Sequence, residues 1–248
     1  MQRFKNKIVV ITGAGSGIGR STALRLDSEG ADLLMIDINQ GDLDETKLML
    51  KNKNSSAHVV DISSITSTEN FFKELEKNYK RLDALINIAG ILRFDNSHEV
   101  ELENWNQILD INLTGTFFMC RHALPLLLKS KGAIVNVSST AALGAHAWTA
   151  AYSASKGGIS AFSKTLAVEY GMKGLNINCV CPASIETPMS SNPVMPKDID
   201  TRLLKKIMPL DGVNRSPDDI ASTIAFLASD DAIHINGIDL RVDGGLLT

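Results

Sequence analysis

Short apolar runs rich in β-branched residues alternate along this chain with longer stretches whose apolar positions recur every three to four residues. The short runs predict strands over 8–12, 32–37, 57–61, 84–87, 133–138, 176–181 and 239–242. The helical period predicts helices over 18–29, 43–50, 66–79, 103–128, 151–170 and 217–228, the last with Ser216 as its cap and Pro217 in its first turn. Most of the strand runs are apolar at nearly every position, as strands covered on both faces require. Strands alternating with helices build βαβ units, so the predicted fold is α/β: a single-domain, doubly wound, mostly parallel sheet of about seven strands with helices on both faces.

No linker or internal repeat divides the chain, so residues 1–248 are read as one domain. The segment 188–209 breaks the alternation, carrying four of the seven prolines and a weak helical pattern near 200–208. It is expected to form a flap over the site within that domain.

Composition narrows the partners. A hydrophobic share of 44% over 248 residues suffices for a sizeable core, and a net charge of -3 supplies no basic field for nucleic acid. No apolar stretch reaches membrane-spanning length, and residues 1–7 lead into the first strand without a secretory h-region, so a cytoplasmic location is expected. Cys120, Cys179 and Cys181 form no zinc or redox motif and are read as buried thiols in a reducing compartment. The five histidines form no i, i+4 pair, and no metal site is expected.

Three features carry chemistry. The loop Thr12-Gly13-Ala14-Gly15-Ser16-Gly17-Ile18-Gly19 joins a strand to a helix, where main-chain N–H groups and the helix dipole can receive a pyrophosphate. Its glycines do not satisfy G-x-G-x-x-G, since the third would fall on Ile18. Asp37 ends the second strand, where a carboxylate can accept from the adenosine ribose hydroxyls and repel a 2′-phosphate; no lysine or arginine adjoins it, which favours NAD(H) over NADP(H). Tyr152 and Lys156 share a helix face, so the ammonium is expected to favour the ionised phenol and make it a usable acid/base.

Taken in order, these residues resemble the short-chain dehydrogenase/reductase family over nearly the whole chain. Its T-G-x-x-x-G-x-G pattern is met by Thr12, Gly13, Gly17 and Gly19, and its adenine-side Asp by Asp61, followed by Ile62, at the end of the third strand. Its N-N-A-G stretch reads Asn87-Ile88-Ala89-Gly90, with isoleucine at the second position. Its helix asparagine matches Asn112, its serine Ser139, its tyrosine Tyr152 and its lysine Lys156. Its P-G-x-x-x-T segment appears as Pro182-Ala183-Ser184-Ile185-Glu186-Thr187, with alanine in the glycine position.

The resemblance implies a Rossmann-type oxidoreductase that passes hydride between NAD(H) and a secondary alcohol or ketone. Asn112, Ser139, Tyr152 and Lys156 would be catalytic: Tyr152 moving the proton, Ser139 polarising the substrate oxygen, Lys156 holding the nicotinamide ribose and Asn112 supporting a water path. Ser138 is the rival for the serine role, because adjacent strand residues point to opposite faces. Ser16, Ile18, Ala89, Gly90, Pro182, Ile185 and Thr187 would join the glycines, Asp37, Asp61, Ile62, Asn87, Tyr152 and Lys156 around the cofactor. Phe94, His146, Trp148 and Met189 are the candidates for substrate contact, in a mainly apolar pocket, with 188–209 covering it. The family also implies a homotetramer built on the two long helices. A 3-oxoacyl-thioester reductase is the alternative within this chemistry, and a non-catalytic NAD(H)-sensing regulator the alternative outside it.

Overall fold

The computed structural model describes residues 2–191 and 193–248; Met1 and Asn192, the latter inside the predicted flap, lie outside the described residues. Seven strands, β1 (Ile8–Thr12), β2 (Asp32–Asp37), β3 (Ser56–Val59), β4 (Ala84–Asn87), β5 (Ala133–Val137), β6 (Asn176–Pro182) and β7 (Asp239–Val242), form one sheet in the order β3-β2-β1-β4-β5-β6-β7. Every neighbouring pair is parallel, as in Val9↔Leu33, Val9↔Ala84 and Val180↔Leu240. The order reverses between β1 and β4, and at such a switch point the loops leaving the strands part and open a crevice.

Alternation along each strand feeds two cores. Val9, Ile11, Leu33 and Met35 pack with Ala23 and Leu26 of α1 (Gly17–Ser28) and with Ile220 and Ile224 of α8 (Pro217–Leu227). Val10, Leu34, Leu85 and Ile134 face the other way, against Phe71, Phe72 and Leu75 of α3 (Ile65–Asn78), Met119 and Ala123 of α5 (Gly115–Ser130), and Leu166 of α6 (Ala150–Gly171). Helix starts follow side-chain caps: Asn39 for α2 (Gln40–Met49), Ser64 for α3 and Ser216 for α8 each accept from amides of the first turn.

Two expectations are corrected. The helix predicted over 103–128 is three pieces: α4 (Leu102–Leu109), a π-helical turn (Asp110–Thr114) and α5. A π turn holds one more residue than an α turn, and nothing in the apolar period betrays it. Here it coincides with a close approach, since a Cβ on Gly115 would stand 2.9 Å from Ile62 Cγ1. The third strand ends at Val59, so Asp61 lies in the following loop, where its Oδ1 accepts from the Ser63 amide (2.9 Å) and hydroxyl (2.6 Å).

Within 188–209 lie the short helix α7 (Pro188–Ser191) and a 3-10 turn (Thr201–Ile207). The base of the segment is fastened by an Ile185↔Arg215 bridge and by Ser184 Oγ donating to Ile207 O (3.0 Å).

Leu85 sits wholly buried in the central strand β4. Leu85→Ala is expected to lower the unfolding free energy by about 2–5 kcal/mol, read from the urea midpoint.

Candidate active site

The loop after β1 is stitched to the loop after β4. Thr12 Oγ1 accepts from the Ile88 amide (3.0 Å) and the Ala89 amide (3.2 Å). Gly13 has φ 69° and lies so close to this loop that a Cβ would stand 2.9 Å from Ala89 Cα. Gly19 has equally little room: a Cβ there would run into the Gly13 carbonyl. Ser16 caps α1 without a side-chain hydrogen bond, which leaves first-turn N–H groups available to an anion. Asp37 shapes the loop from the other side, its Oδ2 accepting from Gly15 N (3.0 Å) and its Oδ1 from Asn39 N (3.1 Å).

From this loop a cavity of about 560 Å³ runs across the ends of β4, β5 and β6. Of the residues singled out in the sequence, Gly13, Ser16, Gly17, Ile18, Gly19, Asp37, Asp61, Ile62, Ala89 and Gly90 line one part. Ser139, Tyr152, Lys156, Pro182, Ile185, Thr187, Phe94, His146 and Met189 line the rest.

The two serines after β5 have different duties. Ser138 Oγ donates to Lys156 O (2.9 Å) and is paired with Ser160 Oγ (3.0 Å), which fastens the strand to α6. Ser139 Oγ accepts from Ala141 N (3.1 Å) and retains its proton for another acceptor.

Lys156 is 4% exposed; its Nζ donates to Val137 O (2.8 Å) and lies 5.7 Å from the centre of the Tyr152 ring. Burial lowers its pKa to about 8, with the Cys179 and Cys181 thiols of β6 opposing the fall. The Tyr152 phenol is pushed up, by burial first, with the Ser139 hydroxyl acting against the rise. This reverses the expected direction for Tyr152. The lysine head is engaged by a main-chain carbonyl and faces the ring, and for both side chains burial favours the neutral form.

Three candidates stand away from the cavity wall. Asn112, in the π turn, is fully buried: its Oδ1 accepts from Ile91 N (2.8 Å), and its Nδ2 donates to Ile91 O (2.9 Å) and Ser155 Oγ (3.1 Å). Asn87 donates to Asn136 Oδ1 (2.8 Å) beneath the strand ends. Trp148 has φ 63° and contributes its carbonyl, which accepts from Asp95 N (2.8 Å). The sequence reading had not singled out Ile36, Val60 or Asn214 among the wall residues. The first two were legible as the apolar residues immediately before Asp37 and Asp61, whereas Asn214 lies in a polar loop that carries no signal. Among the described residues no group of three or more His, Cys, Asp or Glu is placed to hold a metal ion, and no helix is long and apolar enough to cross a membrane.

Comparison with known proteins places this geometry. A family model described as enoyl-(acyl carrier protein) reductase matches residues 13–247. The chain is 36% identical to meso-2,3-butanediol dehydrogenase of Serratia marcescens over 98% of its own length and 95% of that protein's. The chain belongs to the short-chain dehydrogenase/reductase family. Other relatives in the family include D-threitol dehydrogenase of Mycolicibacterium smegmatis, 36% identical over 98% of this chain and 94% of that one. A third, 3-oxoacyl-(acyl-carrier-protein) reductase of Thermotoga maritima, is 34% identical over 99% of both. The crystal structure of levodione reductase superposes with a TM-score of 0.91 at 29% identity, covering 98% of each chain. As a short-chain dehydrogenase/reductase the protein is an oxidoreductase that works with a nicotinamide cofactor on small molecules.

The buried Lys156 gives the fold a pH signature. Its folded pKa of about 8 lies below the ordinary 10.5, so the burial penalty is fully present below about pH 8 and fades as pH rises towards 10.5. Relative to wild type, Lys156→Met is therefore expected to be more favoured at about pH 7.5 than at about pH 10, by about 2 kcal/mol in urea unfolding. A stability difference independent of pH would show that the ammonium pays no burial penalty.

Proposed function

We propose that the protein is an NAD(H)-dependent oxidoreductase that interconverts a secondary alcohol and its ketone, with Tyr152 as the acid/base. The observation that carries this reading is a single cavity with the glycine loop and Asp37 lining one part, and Ser139, Tyr152 and Lys156 lining another. Relatives named as butanediol and threitol dehydrogenases support chemistry at a CH–OH group.

The residues fit a dinucleotide. Gly13 and Gly19 let the loop after β1, the loop after β4 and the start of α1 close together with no side chain between them, the α1 N-terminus offers N–H donors, and Asp37 offers a carboxylate where ribose hydroxyls would arrive. Asp61 and Ile62 would border the adenine, Ala89 and Gly90 the middle of the molecule, and Pro182, Ile185 and Thr187 its nicotinamide end. Arg20, a cation that reaches this loop, is spent on Gly15 O (2.9 Å), Thr46 Oγ1 (3.0 Å) and Glu45 Oε2 (2.9 Å). That commitment, with the charge of Asp37, favours NAD(H) over NADP(H).

When bound, the nicotinamide supplies or accepts the hydride. The chain manages the proton. In the direction of reduction, Tyr152 Oη donates its proton to the ketone oxygen, and a phenol kept neutral by burial is loaded for that step. Ser139 Oγ, steadied by Ala141 N, donates a hydrogen bond to the same oxygen and polarises the carbonyl. Lys156, with a pKa of about 8, can return a proton toward the phenol near neutral pH and hold the adjacent ribose. Asn112 clamps Ile91 and so fixes the strand-end loop behind Lys156; a Cβ on Gly90 would stand 3.0 Å from Asn112 Oδ1 and 3.5 Å from Lys156 Nζ.

The reading includes a homotetramer packed through α5 and α6, which is supported by the exposure of Phe117 and Val168 on those helices and of Met172 just past the end of α6. It also includes a cytoplasmic setting, supported by three buried free cysteines. Segment 188–209 would cover the substrate, since Met189, Pro193, Ile207 and Met208 border the cavity. Similarity to the thioester reductase favours a second reading, turnover of a 3-oxoacyl thioester, which acetoacetyl-CoA as a substrate would reveal.

Tyr152→Phe is expected to cut turnover of secondary alcohols by about 10²–10⁴-fold while the NADH dissociation constant stays within about threefold. NADH binding with no turnover on a broad alcohol and ketone panel would favour a sensor instead. Wild type should also prefer NAD⁺ to NADP⁺ in kcat/KM, and Asp37→Asn, which keeps an acceptor for Gly15 N but removes the charge, should narrow that preference about tenfold or more.

A further inference from the structure

Arg20 sits near the start of α1 but outside the cavity wall, and its head is engaged with the glycine loop and with α2. Its Nε donates to Gly15 O (2.9 Å) and to Thr46 Oγ1 (3.0 Å), and a terminal nitrogen donates to Glu45 Oε2 (2.9 Å). Thr46 is wholly buried in α2, with its hydroxyl 3.0 Å from Ala14 O and 3.3 Å from Gly15 O, so it backs the same stretch of main chain. The helix also presses on the loop directly: a Cβ on Gly15 would stand 2.8 Å from Asp42 Cβ.

In a trans peptide the carbonyl and the N–H of the next residue point to opposite sides. The unit that joins Ala14 to Gly15 has both ends taken, its carbonyl beside Thr46 and its N–H on Asp37 Oδ2 (3.0 Å). In the next unit Arg20 holds the Gly15 carbonyl, which turns the Ser16 N–H away from the guanidinium. That N–H has no hydrogen-bond partner among the described residues, and Ser16 borders the cavity. Glycine gives a peptide plane wide freedom to rotate, so a loop with glycine at 13, 15 and 17 needs an anchor from outside to keep one amide aimed. The charge of Arg20 is itself answered by Glu45, which leaves the bond to Gly15 O as its contribution to the loop.

We propose that Arg20, backed by Thr46, is a positioning residue for the cofactor: by holding the Gly15 carbonyl it aims the Ser16 N–H at the pyrophosphate, without touching the cofactor itself. This rests on the NAD(H) reading above. Losing the anchor frees the Gly15–Ser16 peptide to turn, and the cost falls on binding of the pyrophosphate, while the proton chemistry around Tyr152 is left alone.

The test compares wild type with Arg20→Met, Thr46→Val and Glu45→Gln. Each is titrated with NADH and, separately, with adenosine, which lacks the pyrophosphate, and assayed with NAD⁺ on the secondary alcohol that wild type oxidises fastest. Arg20→Met should weaken NADH binding and raise the KM for NAD⁺ by about 10- to 100-fold, with kcat at saturating NAD⁺ falling by no more than about threefold. Thr46→Val, which keeps the side-chain shape, should weaken NADH about threefold or more, so the proposal stays testable should Arg20→Met fail to fold. Adenosine affinity should change by less than about twofold in both, and Glu45→Gln should keep NADH affinity within about threefold. An NADH loss below threefold in Thr46→Val, an equal loss for adenosine and NADH, or a loss in Glu45→Gln as large as in Arg20→Met overturns the proposal and leaves the cofactor reading intact. A wild type that does not bind NADH removes that reading and this one with it.

Discussion

The Thr12 hydroxyl accepts hydrogen bonds from the Ile88 and Ala89 amides across the seam where the strand order reverses. A parallel sheet can satisfy its strands internally, but the loops leaving β1 and β4 diverge, and their first amides have no ladder partner. One side-chain oxygen supplies two such partners. Gly13 lets the two loops come together beside it, and Gly19 lets α1 begin at once above the strand. The floor of the crevice is therefore tied together by local bonds, and the glycine loop and the loop after β4 are held in register at that seam.

Burial does the electrostatic work at the other end. Lys156 and Tyr152 are both driven towards their neutral forms, the lysine to about 8, because the surrounding wall offers little solvent to stabilise charge. The spacing in the sequence had suggested that the lysine ammonium favours the ionised phenol. The geometry gives instead a charged group tethered to the Val137 carbonyl with the aromatic ring alongside. Near neutral pH the phenol keeps its proton, and the lysine, with a pKa of about 8, is the member of the pair that can exchange one.

The fold was legible where it depends on periodicity. Strand runs such as Ile8–Thr12, Ala84–Asn87 and Asp239–Val242 carry the parallel-sheet signature, and their observed bounds coincide with the predicted ones. The residues around the cavity were legible where a motif ties type to position, as with Gly13, Gly17 and Gly19. Distances across the fold were not. That Asn112 and Asn87 are consumed by internal bonds, that Trp148 acts through its carbonyl, and that Asn214 reaches the cavity all depend on loops whose paths no periodicity encodes. The direction of the Tyr152 shift was missed for a related reason: spacing on a helix shows which side chains are neighbours, but not how far each lies from water.

The π turn at Asp110–Thr114 makes this part of the chain sensitive to length in a way that side-chain chemistry alone would not suggest. Deleting one residue there would restore a regular α path, and each residue of an α-helix advances by about 100° around the axis. The wider turn takes up the extra residue, so α4 and α5 would keep their facing while the turn itself was reset, and Asn112 would lose its hold on Ile91. Most helices take up a small length change at a frayed end. Here the change would fall on the turn that carries Asn112, so residues 110–114 should hold their count across homologues even where their side chains diverge.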